Sequence, residues 1–186
     1  MINIRLAEEK DISKLKQLID ENISIDYFTE DSLKAIINEN NHYIFVNTDD
    51  SDIPNGFIYC NIDTLENACE TAYIPQDIKS FDQYSKDSKV CLYKTTCTAK
   101  EARKIGILTS FMKKMDAVTS NLDFDFNIVV ALIHPGDIIP VHNILIENGF
   151  IKAERIRHPW IKIKSYCGYC KSEYCKCDGM LYIKER

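Results

Sequence analysis

Val90-Cys91-Leu92-Tyr93-Lys94-Thr95-Thr96-Cys97-Thr98-Ala99-Lys100-Glu101-Ala102-Arg103-Lys104-Ile105-Gly106-Ile107-Leu108-Thr109-Ser110-Phe111-Met112 is the stretch from which the rest of the chain can be placed. It opens with β-branched and aromatic residues that suit a strand. After a short polar connection it sets Ile107, Leu108, Phe111, Met112 and then Met115 at helical spacing. The reading is strand, turn, helix. The turn carries Arg103-Lys104-Ile105-Gly106, with a glycine where the chain enters the helix. Lacking a Cβ, glycine allows a dihedral or a close backbone approach that other residues resist. The first N–H groups of a helix have no intrahelical acceptor and lie at the positive end of its dipole, so a helix begun this way can hold a phosphate. Arg103 and Lys104 add two cations beside it.

Upstream, Asn3 to Leu6 can form a strand, and Ile12, Leu15, Leu18 and Ile19 recur at the three- and four-residue steps of an amphipathic helix. After Ser24-Ile25-Asp26, Thr29 is suited to cap a second helix bearing Leu33, Ile36 and Ile37. His42 to Val46 and Gly56 to Cys60, separated by a turn-rich segment, read as an antiparallel hairpin. Residues 63 to 88 show no sustained periodicity and read as a long connection, with room for a short helix within Ile74 to Tyr84. Asp63, Glu66, Glu70, Asp77, Asp82 and Asp87 outnumber Lys79 and Lys86 there, which suits either a wall that attracts a cationic amine or a solvated loop.

Downstream, Phe126 to Ile133 is nearly continuously apolar, as expected for a strand buried on both faces. Past His134-Pro135-Gly136-Asp137, a short helix should carry Ile139, Asn143, Leu145 and Ile146 with Pro140 in its first turn. Asn148-Gly149 should end it, and Phe150-Ile151 should begin a strand running toward His158-Pro159-Trp160-Ile161. A last strand is expected near Met180 to Lys184.

At 186 residues, 45% of them hydrophobic and 27% charged, the chain fits one soluble domain, residues 1–186. No apolar run approaches the ~18 residues of a membrane span, and Met1-Ile2-Asn3-Ile4-Arg5 lacks a signal-peptide core, so the expected location is cytoplasmic, with no membrane partner. A net charge of −5 argues against nucleic acid as a partner and toward a small or cationic one.

The signature stretch resembles the acyl-CoA-binding segment of the GNAT superfamily of N-acetyltransferases, with Arg103 and Gly106 matching and Leu108 where a small residue is usual. Glu147-Asn148-Gly149-Phe150 is similar to the family's second segment, a helix closing on Gly-Phe. The resemblance implies an α+β (mixed α/β) fold, with a central mixed sheet flanked by helices. It also implies that acetyl-CoA is the cosubstrate. Cys97 and Thr98 would lie along the pantetheine arm, and the amides of Lys104, Ile105, Gly106, Ile107, Leu108 and Thr109, with Arg103 beside them, would face the pyrophosphate. The acceptor would be a small-molecule or protein amine, and a homodimer is an admissible assembly.

The chemistry such a fold performs is attack of a neutral amine on a thioester. It needs a proton acceptor, an oxyanion donor and an acid for the departing thiolate. Many family members use a Tyr as that acid, but the matching position here is Leu145. His134 and Tyr93 are the catalytic candidates, with His142 a third; each is equally an ordinary loop, core or helix residue. Cys97 reads as packing, because direct transfer needs no enzyme nucleophile.

Four of the eight cysteines, Cys167, Cys170, Cys175 and Cys177, form C-x2-C-x4-C-x-C within a segment, 165–178, that reads as a hairpin. Thiolates this close repel unless a cation gathers them, and structural Zn²⁺ is the simplest solution. Free thiols, a redox pair or an iron–sulfur cluster are the alternatives, and the single-residue spacing of the last pair could leave one cysteine unligated. Two functions from different classes remain open: a catalytic N-acetyltransferase, and an acyl-CoA-binding regulatory module whose hairpin docks a protein.

Overall fold

The computed structural model describes residues 2–25 and 27–186; Met1 and Asp26, the last of the Ser24–Asp26 connection, lie outside the described residues, as does the Ser165 side chain. In chain order the elements are β1 (Asn3–Leu6), α1 (Ile12–Asn22), α2 (Glu30–Asn38), β2 (His42–Thr48), β3 (Pro54–Thr64), α3 (Leu65–Ala72) and β4 (Lys89–Thr98). They continue with α4 (Ile107–Thr119), β5 (Phe126–Leu132), α5 (His142–Glu147), β6 (Ile151–Ile156), β7 (Lys164–Cys167), β8 (Ser172–Tyr174) and β9 (Gly179–Glu185). The strands of the main sheet follow the order β1-β2-β3-β4-β5-β9-β6, and β7-β8 form a separate pair. The class is mixed α+β. Among the described residues no helix is long and apolar enough to cross a membrane.

The chain forms two compact units: Met1–Asn61 with Thr95–Leu122, and Ile62–Lys94 with Asp123–Arg186. In the first, β1 pairs antiparallel with β2, and β2 with β3, in a register that sets His42 opposite Asn61 and Asn47 opposite Gly56. The apolar stripe Ile12, Leu15 and Ile19 of α1 packs with Phe28, Leu33, Ile44, Val46, Phe57, Tyr59 and Cys97. Burying each such side chain stabilises the fold by about 1.5–3 kcal/mol relative to leaving it exposed. Thr29 caps α2 as its sequence suggests: its hydroxyl accepts from the Ser32 N–H at 3.1 Å, and the Thr29 N–H donates to Ser32 Oγ at 2.9 Å. Arg5 ties three segments together, meeting Asp11 at 2.6 Å and Asp52 at 2.8 Å.

In the second unit, β4 pairs in parallel with β5 from Val90↔Phe126 to Tyr93↔Val129. β5 pairs antiparallel with β9 along its whole length, and β9 with β6. Val90, Leu92, Phe126, Ile128, Leu181 and Ile183 are the sheet's contribution to this core.

Three expectations need correction. The 63–88 connection holds a helix, α3, whose Leu65, Ala68, Cys69 and Ala72 are buried and whose Thr64 cap accepts from the Asn67 N–H at 3.2 Å. The buried stripe is built mostly of alanine and cysteine, which carry little hydrophobic contrast, so the period is faint in sequence. Within Ile74 to Tyr84 there is one 3-10 turn, Lys79–Phe81. Helix α5 begins at His142, not near Ile139, because an antiparallel bridge between His134 and Ile138 closes a tight turn first. Strand β5 is fully buried over Phe126–Ile128, whereas Val129 and Val130 are half-buried. The end of α5 matches its sequence: Gly149 takes φ +85, the left-handed conformation that lets the chain leave a helix.

Candidate functional site

In the first unit, a single 3-10 turn, Lys100–Ala102, leads from β4 to Arg103. Lys104 and Gly106 then take φ +66 and +87, and the second of these left-handed residues is the N-cap of α4. Gly106 has no side chain with which to cap the helix. A Cβ at Gly106 would meet nothing within 4 Å, so the space beside the N-cap residue is open. The amides of Ile107, Leu108 and Thr109 therefore head a 13-residue helix with its positive dipole end exposed. Lys104 and Ile105 are exposed, Leu108 and Thr109 half-buried, and Ile107 is in the core.

Arg103 donates from Nε to the Thr98 carbonyl at 3.1 Å and from Nη2 to Asn22 Oδ1 at 2.9 Å. It pins the end of β4 to the end of α1 and leaves other guanidinium N–H groups to donate elsewhere. Cys97 is buried, its Sγ 3.7 Å from the Leu18 carbonyl, and burial pushes its thiol up to about 11. A thiol held protonated in this way suits packing rather than nucleophilic attack. Gly56 on β3 is a feature the sequence reading missed: a Cβ there would lie 3.2 Å from the Cys97 carbonyl, so only glycine lets β3 approach this part of β4 without displacement. An isolated glycine within a strand pattern was the available signal.

In the second unit, Tyr93 is buried and its ring meets Phe150 edge-on at 5.6 Å. His134 follows β5, and its N–H donates to the Ile138 carbonyl at 2.8 Å, closing a turn in which Gly136 and Asp137 both have positive φ. Its ring is half-buried against that of Tyr169, centroids 3.9 Å apart, and burial lowers its pKa from the ordinary histidine value. Tyr93 and His134 therefore take different ring partners. Leu145 is a core residue, 1% exposed. The sequence also gave no sign that His142 Nδ1 lies 2.8 Å from the Tyr182 hydroxyl, since the two are far apart in the chain and meet only through the packing of α5 on β9.

The four clustered cysteines come together. Strands β7 and β8 pair antiparallel, Lys164 opposite Tyr174 and Cys167 opposite Ser172. This brings the Sγ atoms of Cys167, Cys170, Cys175 and Cys177 within 4.8 Å of one another. Tetrahedral zinc with bonds of about 2.3 Å sets its sulfurs about 3.8 Å apart. Cys167 and Cys177 stand at 3.8 Å, and the Lys176 N–H donates to Cys170 Sγ at 3.4 Å. All eight cysteines are free thiols. The cluster is uneven without a cation: burial raises Cys175 to about 11, and burial together with Cys175 raises Cys177 further. Burial also acts to raise Cys167, but the N–H groups of Cys170 and Tyr169, with the Cys170 and Cys175 side chains, outweigh it and leave that thiol below its usual value. All four sulfurs, including those of the closely spaced last pair, are placed to share one ion.

No protein-family profile and no curated protein sequence matches this chain. Solved structures do. NAA60 of Arabidopsis thaliana in complex with acetyl-CoA superposes with a TM-score of 0.74 at 13% identity, over 100% of this chain and 98% of that one. A spermidine N-acetyltransferase of Vibrio cholerae gives 0.64 at 12% identity, over 99% and 93%. A GNAT-superfamily phosphinothricin acetyltransferase of Sinorhizobium meliloti, in complex with acetyl-CoA, gives 0.62 at 14% identity, over 99% and 88%. The fold is that of the GNAT N-acetyltransferases, as the two sequence segments imply. At such identities the likeness establishes architecture alone.

Proposed function

We propose that this chain is an acetyl-CoA-dependent N-acetyltransferase, working as one domain over residues 1–186, that acylates a primary amine by direct attack in a ternary complex. The observation that carries the reading is the open, uncapped start of α4 behind Gly106, with Arg103 and Lys104 alongside. Amides aimed outward from a helix N-terminus, two cations and room beside the N-cap are what a pyrophosphate needs. The pyrophosphate of acetyl-CoA is assigned to the backbone of Arg103 through Thr109, and the pantetheine arm to Cys97 and Thr98.

For the chemistry, His134 is the proposed proton acceptor: burial lowers its pKa, so it stays neutral near pH 7 and can take the proton the amine sheds. Tyr93 is the proposed proton donor to the departing thiolate. The acceptor is a small-molecule or protein amine. The similar structures carry names such as spermidine and phosphinothricin N-acetyltransferase, and the acidic 63–88 segment would favour a cationic one. The cysteine hairpin, 165–178, is proposed to hold structural Zn²⁺ through Cys167, Cys170, Cys175 and Cys177. Eight free cysteines suit a reducing compartment, and we place the protein in the cytoplasm.

A second reading is favoured by Leu145, which is buried and can donate nothing where the family resemblance implies a Tyr. On this reading the chain binds acyl-CoA as a regulatory module. Chromatographic measurement of CoA released from acetyl-CoA, across polyamines, amino sugars and peptide N-termini, separates the two. Amine-dependent release supports catalysis, whereas binding without release under any amine supports the regulatory module.

A further inference from the structure

The cysteine hairpin reaches the His134 turn at two points, each adjacent to a cysteine of the cluster. Tyr169 lies between Gly168 and Cys170, and its ring packs on the His134 imidazole at 3.9 Å. Asp178 follows Cys177 directly, and its carbonyl accepts from the Ile133 N–H at 2.9 Å. The Asp178 carboxylate receives Arg155 Nε at 2.8 Å and the His158 N–H at 3.1 Å. Arg155 then reaches from Nη1 to Asp137, inside the His134–Ile138 turn, at 3.0 Å.

The hairpin cannot hold these positions by itself. Strands β7 and β8 have four and three residues and, among the described residues, pair only with each other. A lone pair of such short strands is marginal in water, and Tyr169 is about half exposed, so its burial adds little order. What can fix the loop is an ion shared by the four sulfurs.

We infer that metal binding in the cysteine hairpin acts as a brace on His134, holding Tyr169 against the imidazole while Asp178 and Arg155 anchor the turn that carries it. Tyr169, Asp178 and Arg155 are then positioning residues for His134, and the metal acts through them. The brace rests on the zinc site proposed above but does not depend on acetyl transfer.

The test is proton NMR of the full-length reduced protein, stripped of metal and titrated with Zn²⁺. The chain has four histidines, and His134→Gln identifies the signal of interest by its loss. One equivalent of Zn²⁺ should displace the His134 ring-proton signals through the ring current of Tyr169, leaving those of His42 and His142 in place. Tyr169→Leu should bind the same single equivalent and lose the displacement. Zinc binding that leaves the His134 signals unmoved, or an undiminished displacement in Tyr169→Leu, overturns the brace while the zinc site stands. Failure to bind Zn²⁺ overturns both.

Discussion

Gly179→Ala should destabilise the protein through a single overlap. Gly179 opens β9, directly after the cysteine hairpin, and a Cβ there would lie 2.7 Å from Val130 Cγ1, 3.2 Å from Pro159 Cγ and 3.4 Å from the Trp160 ring. Its φ is not in the left-handed region, so the backbone alone would accept alanine. Lower entropy of the unfolded chain would then add about 0.4–1 kcal/mol of stability. The overlap opposes this, because Val130 is β-branched with little χ1 freedom to retreat, and overpacking of this kind costs about 1–3 kcal/mol. The net loss is about 1–2 kcal/mol, and each kcal/mol lowers Tm by about 2–4 °C in a chain of this size. Val130→Ala alone removes half-buried methyl groups at a cost of about 1 kcal/mol. In the double variant the overlap is gone, so its loss should fall short of the sum of the two single losses by the whole overlap cost, about 1–3 kcal/mol. Urea unfolding of the four proteins, at fixed Zn²⁺ and reductant, measures this. Wild-type stability for Gly179→Ala, or simple additivity in the double variant, would refute the reasoning.

Native mass spectrometry should find one zinc per chain, lost in Cys170→Ser, and a chelator should speed the reaction of Cys167, whose thiol lies below its usual value, while Cys60, Cys69, Cys91 and Cys97 stay slow because they are buried. Asp52 is held at about 2 by Arg5 and then Lys10, below its unfolded value of about 3.9. Its contribution is complete above that unfolded value and fades as pH falls toward the folded one. The urea midpoint of Asp52→Asn should therefore change less between pH 5 and pH 2.5 than that of the wild type, and equal slopes would contradict the pairing. Thr29→Ala removes the α2 cap and should cost about 1 kcal/mol in the same unfolding assay.

What could be read from the sequence depended on how strongly each feature marks a few neighbouring residues. Helix α1 was visible because Ile12, Leu15, Leu18 and Ile19 contrast sharply with the polar residues between them. The turn into α4 was visible because a lone glycine sits between a strand pattern and a helix pattern. The cysteine site was visible because its four ligand candidates fall within eleven residues. Helix α3 was not, since Ala68, Cys69 and Ala72 mark its buried face only weakly. Pairings between distant segments were also hidden: nothing local to Gly56, His142 or Tyr169 announces Cys97, Tyr182 or His134 as its partner. Such contacts follow from strand order and register, which the sequence suggests only through resemblance to a known fold.

The most direct test of the acetyl-CoA reading is calorimetric titration of acetyl-CoA into the wild type and into Gly106→Trp. At φ +87 any side chain adds strain of about 1–2 kcal/mol, so urea unfolding should accompany the titration to verify that the variant is folded. The account predicts micromolar binding to the wild type and none to the folded variant, because the indole would fill the space beside the α4 N-cap. Absence of binding to the wild type, or equal binding to both proteins, would contradict it.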